Sequence, residues 1–257
     1  MRKPFKIRIE MAVVVMLVLV TGGGVALAQE ASEARKFTDP TDPGYEDPIA
    51  NYDPWEGFNR SMYKFNYGFD KYVFVPVVKA YQFVLPKVVR TGIANFFDNL
   101  YEIENVFNNL LQGNAEGTVN STARIVFNTT IGLAGILDPA TPMGFAKMEE
   151  DFGQTLGVWG VGPGPYLVLP ILGPSSVRDG IGIGVDATVE TVWVTFVVNE
   201  IYSNASDRDK LYWGMTGLYY ISQRAGIPFR YYETGSPFEY EYVRYIYLKW
   251  RQIEIER

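Results

Sequence analysis

Between Lys87 and Gln112 two stripes run side by side along the chain. Val89, Ile93, Phe96, Leu100, Ile103, Phe107 and Leu110 recur in steps of three and four, and so do Asn95, Asp98, Glu102, Asn105 and Asn109 on the opposite side. That period predicts one helix, ~39 Å long at ~1.5 Å per residue, with Gly113 as its stop. The polar stripe has an odd composition. Exposed helix faces usually carry Lys, Glu and Arg, whereas Asn is a weak helix former. Yet residues 91–123 hold seven Asn and no Lys or Arg. Two readings fit. One is an ordinary solvated face. The other is a buried or channel-facing hydrophilic strip, because amides donate and accept hydrogen bonds without carrying charge.

The rest of the chain also reads as mainly helical. Asp53 as a cap, Pro54 at the first position and Glu56 completing a box predict a first helix over 54–72. A shorter helix follows over 77–83, between Pro76 and Pro86. Asn114 caps a fourth helix over 115–131, with Val119, Ala123 and Val126 expected on its core face. Residues 152–173 are dense in Gly and Pro and almost uncharged. There 155–159 and 166–169 are expected to pair as a short hairpin around 160–165. A shaped loop of this kind often carries function, and Gly157, Trp159, Gly160, Gly162, Pro163, Gly164, Pro165 and Tyr166 are candidates for a gate. Helices are expected again from 175 to about 198, over 207–224 and over 237–253.

Composition removes most enzyme chemistry. Among 257 residues there is no His and no Cys, so no imidazole base, thiolate nucleophile, disulfide or thiolate zinc site is possible. The formal net charge of −6 and the lack of a basic cluster argue against nucleic acid. Ser61-Met62-Tyr63-Lys64 matches S-x-x-K without its partner motifs. Gly180, Gly182 and Gly184 lack the spacing of a dinucleotide loop and read as helix-packing glycines. Glu149, Glu150 and Asp151 read as a solvated turn. No catalytic residue, metal ligand or cofactor is assigned. Aromatic residues make up 15% of the chain, and Tyr and Trp suit a bilayer interface.

The first 28 residues carry a basic start, the apolar run 11–20 and Ala26-Leu27-Ala28, the pattern of a cleaved secretory signal. Residues 29–52, with Asp-Pro at 39–40, 42–43 and 47–48, read as an extended linker. Residues 53–257 then form one domain.

Asp53-Pro54-Trp55-Glu56-Gly57-Phe58-Asn59-Arg60 followed by Met62, Phe65 and Asn66 resembles the opening of the VacJ/MlaA outer-membrane lipid-asymmetry lipoproteins. So do the segment 90–96, the segment 109–113, Arg124 with Asn128, Gly153-Gln154, Gly164-Pro165-Tyr166 and Arg178-Asp179. The resemblance is collinear over about 53–186. It implies a ring-like helical body in the periplasmic leaflet of the outer membrane. An amphipathic channel would take misplaced phospholipid from the outer leaflet and pass it to a periplasmic lipid carrier, with trimeric porins as neighbours. No bond would be broken and no cofactor used. Asn95, Asp98, Glu102, Asn105 and Asn109 would then line the headgroup path. Members of the family typically carry an acylated cysteine. This chain has none, so its helices, a retained signal or a partner would hold it in place. The alternatives are a soluble periplasmic scaffold or binding protein and a lipid-directed enzyme.

Overall fold

The computed structural model describes residues 53–201, 205–233 and 235–257, so the expected signal and linker lie outside the described residues. Among those residues the chain is mainly helical, with one two-stranded sheet. Helix α1 (Glu56–Phe69) passes through a single π-helical stretch, Asp70–Phe74, into α2 (Val75–Val84) without leaving helical geometry. The expected break at Pro76 is therefore absent. Pro76 lies just past the π-helical stretch, where the regular hydrogen-bond ladder is already interrupted. The break falls at Leu85, which is extended (φ −103°, ψ 123°) because it precedes Pro86. The Asp53–Glu56 box is also absent. The Asp53 carboxylate accepts from Trp55 N at 3.0 Å, while Glu56 pairs with Arg60 at 2.7 Å.

Helix α3 (Lys87–Gln112) has the expected bounds and ends on Gly113 at φ 73°. Asn114 accepts from Gly117 N at 2.9 Å and caps α4 (Ala115–Thr130). These two helices pack side by side as the most extensive helix pair. The face of α4 is the reverse of the expected one. Val119 and Val126 are exposed (66% and 50%), and Gly117, Ser121, Arg124 and Asn128 are buried.

Residues 131–150 are irregular and lead to α5 (Phe152–Val158). The expected strand over 155–159 is thus a helix. Asp151 and Gln154 form a complete capping box that starts it. Strand β1 (Tyr166–Leu169) instead pairs antiparallel with β2 (Gly173–Ser176), Tyr166 opposite Ser176. The turn between them places Ile171 at φ 69°. Three helices follow, α6 (Val177–Ile201), α7 (Ala205–Gly226) and α8 (Glu239–Glu256), close to their expected bounds.

Two close approaches explain glycines. A Cβ on Gly182 of α6 would lie 2.4 Å from Gly153 N, and a Cβ on Gly157 would lie 2.5 Å from Ile255 Cδ1. Helix α5 is thus sandwiched between α6 and α8 on small-residue faces. The apolar core is small, with Tyr63, Tyr166, Val168 and Tyr240 at its centre. Tyr63 meets the rings of Tyr231, Tyr232 and Tyr240 edge-on at 5.0–5.8 Å.

Candidate functional site

The polar stripe of α3 faces α4 and the irregular segment behind it. Each of its five residues meets a protein partner. Asn95 Nδ2 donates to Ile136 O at 3.1 Å, and Asp98 pairs with Lys147 at 3.1 Å. Glu102 lies 3.5 Å from Arg124, whose side chain is 3% exposed. Asn105 Oδ1 accepts from Glu150 N at 2.8 Å, and Asn109 Nδ2 donates to Asn105 O at 2.8 Å. Asn95 and Asp98 keep some solvent access, whereas Glu102, Asn105 and Asn109 are closed off by protein.

Asn95, Asn105, Asn120 and Asn128 share a task. Residues 131–150 have no regular hydrogen-bond ladder, so their buried peptide groups need partners. Asn128 Oδ1 accepts from Ala140 N at 3.1 Å, and Asn120 Nδ2 donates to Ala146 O at 2.7 Å. Arg124 donates to Phe145 O at 2.7 Å and Thr141 Oγ1 at 3.0 Å, and it reaches Asp138 at 3.3 Å. Burial raises the Glu102 pKa above the ordinary carboxylate value, against the pull of Arg124 and its other neighbours.

A second polar centre joins α3 to α6. Asn108 Nδ2 donates to Asp186 Oδ1 at 3.2 Å, and Phe152 N donates to Asp186 Oδ2 at 2.9 Å. Glu104 of α3 and Glu190 of α6 lie beside them and influence each other's titration. Burial, then the neighbouring carboxylates, raises the pKa of Glu104; burial does the same for Asp186 and Glu190. Sequence reading missed this cluster, since nothing in the chain announces that residues 78 to 86 positions apart will meet.

The gate candidates divide between three elements. Gly157 belongs to α5 and Tyr166 to β1, where it is buried. Trp159 follows α5 and donates from Nε1 to Leu111 O at 3.1 Å. Gly160 and Gly164 adopt positive φ (88° and 65°), bending the loop that contains Gly162 and Pro163. Pro163 O and Pro165 O accept from Arg178 N and Val177 N at 3.1 and 3.0 Å.

The remaining motif residues are structural joints. Asn59 and Asn66 bond to the hairpin backbone. Arg60 pairs with Glu56 and Glu241 and lies 4.4 Å over the Tyr240 ring. Phe65 is half exposed and stacks on Phe69 at 6.1 Å. Gln154 completes the α5 box and Gly153 admits α6. Arg178 and Asp179 form an ion pair at 2.9 Å. Sequence reading missed Arg251, which forks onto Asp151 through two 2.8 Å bonds and reaches Asp179 at 3.1 Å. Arg244, seven residues earlier on α8, is buried beside Asp53 at 3.6 Å. Their spacing opposite the aromatic stripe of that helix was the available signal.

Burial summarises the arrangement. Among the described residues ten buried side chains are apolar and 23 are polar or charged, while 36 large apolar side chains are exposed. Exposed large apolar side chains thus outnumber the buried apolar ones more than threefold. The class this defines is a helical protein that turns polar groups inward and apolar groups outward.

The chain belongs to the MlaA lipoprotein family, whose model matches residues 51–254. It is 40% identical over 151 residues to the intermembrane phospholipid transport system lipoprotein MlaA of Escherichia coli (strain K12), covering 56% of this chain and 59% of that one. It is 37% identical over 138 residues to the protein of that name from Haemophilus influenzae, covering 52% and 55%. An uncharacterized protein of Rickettsia prowazekii is 39% identical over 128 residues, covering 50% and 51%. The chain thus spans about half the length of the curated relatives it matches. A solved chain from work on the structural basis for maintenance of bacterial outer membrane lipid asymmetry superposes with a TM-score of 0.59 at 30% identity. That match covers 79% of this chain and 99% of the other.

Proposed function

We propose that the chain is the outer-membrane component of a phospholipid transport system. Residues 53–257 act as one ring-like helical domain in the periplasmic leaflet. The domain takes misplaced phospholipid from the outer leaflet and passes it to a soluble periplasmic lipid carrier, so maintaining lipid asymmetry. Trimeric porins are its proposed neighbours. The role is conduction, with no bond broken. One observation carries this reading: α3 and α4 bury Glu102, Asn105, Asn109, Ser121, Arg124 and Asn128 and expose Leu110, Val119 and Val126. A phospholipid needs a wet strip for its headgroup and an apolar wall for its chains, and this helix pair is built with both polarities on opposite sides. The exposed apolar surface disfavours the soluble scaffold.

Within this reading Asn95 and Asp98 form the accessible polar wall of the headgroup route, and Glu102, Asn105 and Asn109, closed off by protein, continue the same stripe behind it and hold the helix pair together. The Gly160 to Pro165 loop is the gate. The test is transfer of a fluorescent phosphatidylethanolamine out of proteoliposomes holding the full chain, with Asn95→Leu/Asp98→Leu compared against wild type. These two positions are chosen because Asn105→Leu would also unseat Glu150 N. A strong loss of transfer by a folded variant supports the route; unchanged transfer removes it.

A further inference from the structure

One buried carboxylate joins β2, the first turn of α6 and α8. Asp179 Oδ1 accepts from Arg178 Nε and Nη2 at 3.0 and 2.9 Å and from Arg251 Nη2 of α8 at 3.1 Å. Its Oδ2 accepts from Ser176 Oγ of β2 and from Tyr247 Oη of α8, each at 2.8 Å. The residue is 4% exposed. Burial alone would raise its pKa, but Arg251 and Arg178 outweigh that and hold it below the ordinary value. It therefore stays a carboxylate, with five donors around it. Arg178 is the outward link. Its Nη1 donates to Val161 O at 3.4 Å and its backbone N–H to Pro163 O at 3.1 Å, while Val177 N donates to Pro165 O at 3.0 Å. Three consecutive odd-numbered carbonyls of the exposed 159–165 loop thus rest on the first turn of α6.

We infer that Asp179 is the positioning residue of this loop: it orients Arg178 under the loop carbonyls and ties their position to the seat of the C-terminal helix through Arg251 and Tyr247. A guanidinium is required at 178 because its planar fork serves the carboxylate and the carbonyl at once; an ammonium supplies one point of charge. Arg251 is committed on the other side by its fork onto Asp151, the cap of α5. Displacing α8 would therefore pull on Asp179 and release Arg178 from Val161. Only the consequence for lipid transfer rests on the gate reading above.

The amide protons of Val177 and Arg178 report the contact directly, because their acceptors are loop carbonyls. The experiment measures their hydrogen exchange in the full chain held in mild detergent, for wild type, Arg178→Lys, Asp179→Asn and Arg251→Lys. Asn66→Ala, which weakens the hairpin elsewhere, controls for general loss of stability. Arg178→Lys is expected to speed exchange at both amides about tenfold with little change in unfolding midpoint. Asn66→Ala is expected to lower the midpoint without that local change. Arg251→Lys, which keeps a charge beside Asp179, should fall between wild type and Asp179→Asn. Unaltered exchange in Arg178→Lys overturns the inference even if Asp179→Asn fails to fold. Phosphatidylethanolamine transfer from proteoliposomes is read in parallel. Faster exchange with altered transfer supports both the inference and the gate. Faster exchange with unchanged transfer supports the inference and contradicts the gate.

Discussion

Val168 N donates to Asn59 Oδ1 at 2.8 Å, and Asn59 Nδ2 returns a bond to Tyr166 O at 3.0 Å. The side-chain amide of a helix thereby takes the place of a neighbouring strand along β1. Asn66 repeats the pairing with Leu169 O and Ile171 N at 2.9 and 2.7 Å. The spacings agree, since seven helical residues advance ~10.5 Å and three strand residues ~10 Å.

Replacing Asn59 with Leu should therefore leave two buried backbone groups without partners, at a cost of about 1–3 kcal/mol for each. Denaturant unfolding of the detergent-held protein measures this. A loss below ~0.5 kcal/mol, the size of a neutral surface change, would show that the amide is not a strand substitute.

Arg124 and Glu102 provide a test of the buried seam. Arg124→Met alone should destabilise by about 3–5 kcal/mol, because Glu102 loses its buried partner and Thr141 and Phe145 lose their donor. Arg124→Met with Glu102→Met should recover part of that loss. With Glu102→Met measured alone as well, a double-variant loss equal to the sum of the two single losses would mean that the pair does not interact energetically.

Gly182 and Gly184 should respond oppositely to alanine. A Cβ at 182 meets the backbone nitrogen of Gly153 at 2.4 Å, while one at 184 meets nothing within 4 Å. Gly182→Ala should cost about 1–3 kcal/mol through overpacking. Gly184→Ala should be neutral or stabilising by up to ~1 kcal/mol, from helix propensity alone. Thermal unfolding of the two variants side by side decides it.

The Glu104, Asp186 and Glu190 cluster sets a pH dependence. Burial raises all three folded pKa values above their unfolded ones, and repulsion from Asp186 adds to it at Glu104 and Glu190. The folded state then holds protons that the unfolded state has released. Stability from this cluster is full below the ordinary carboxylate range and is lost as pH rises. Asp179 acts in the other direction, its lowered pKa giving stability that is lost in acid. Glu104→Gln should therefore flatten the decline in unfolding free energy across roughly pH 5–9 and leave the acid limb in place. A decline as steep as that of wild type would assign the alkaline loss elsewhere.

The extent of legibility differs between elements for physical reasons. Helix α3 was readable to its ends because period, proline and glycine signals all coincide there. The face of α4 was not. Periodicity says which residues share a face, but the surroundings decide which face turns inward, and Val119 and Val126 turn outward here. The hairpin partner was misread because a short apolar run fits a strand or a buried helix equally well. The better signal was Asp151 with Gln154, a capping box. Of the candidate site, the Asn stripe lies on α3. Its protein partners, and the Arg251 link to Asp151 across 100 residues, depend on tertiary approach that no local pattern encodes.

On the proposed function, the α3–α4 pair faces lipid with its apolar side and keeps its polar side inward. The chain contains no cysteine, so a single Val126→Cys variant takes one spin label at one place. Its collision rates with molecular oxygen and with a water-soluble nickel complex, measured in proteoliposomes, test the claim most directly. The account predicts high oxygen and low nickel accessibility at 126. High nickel accessibility there would place that face in water and contradict it.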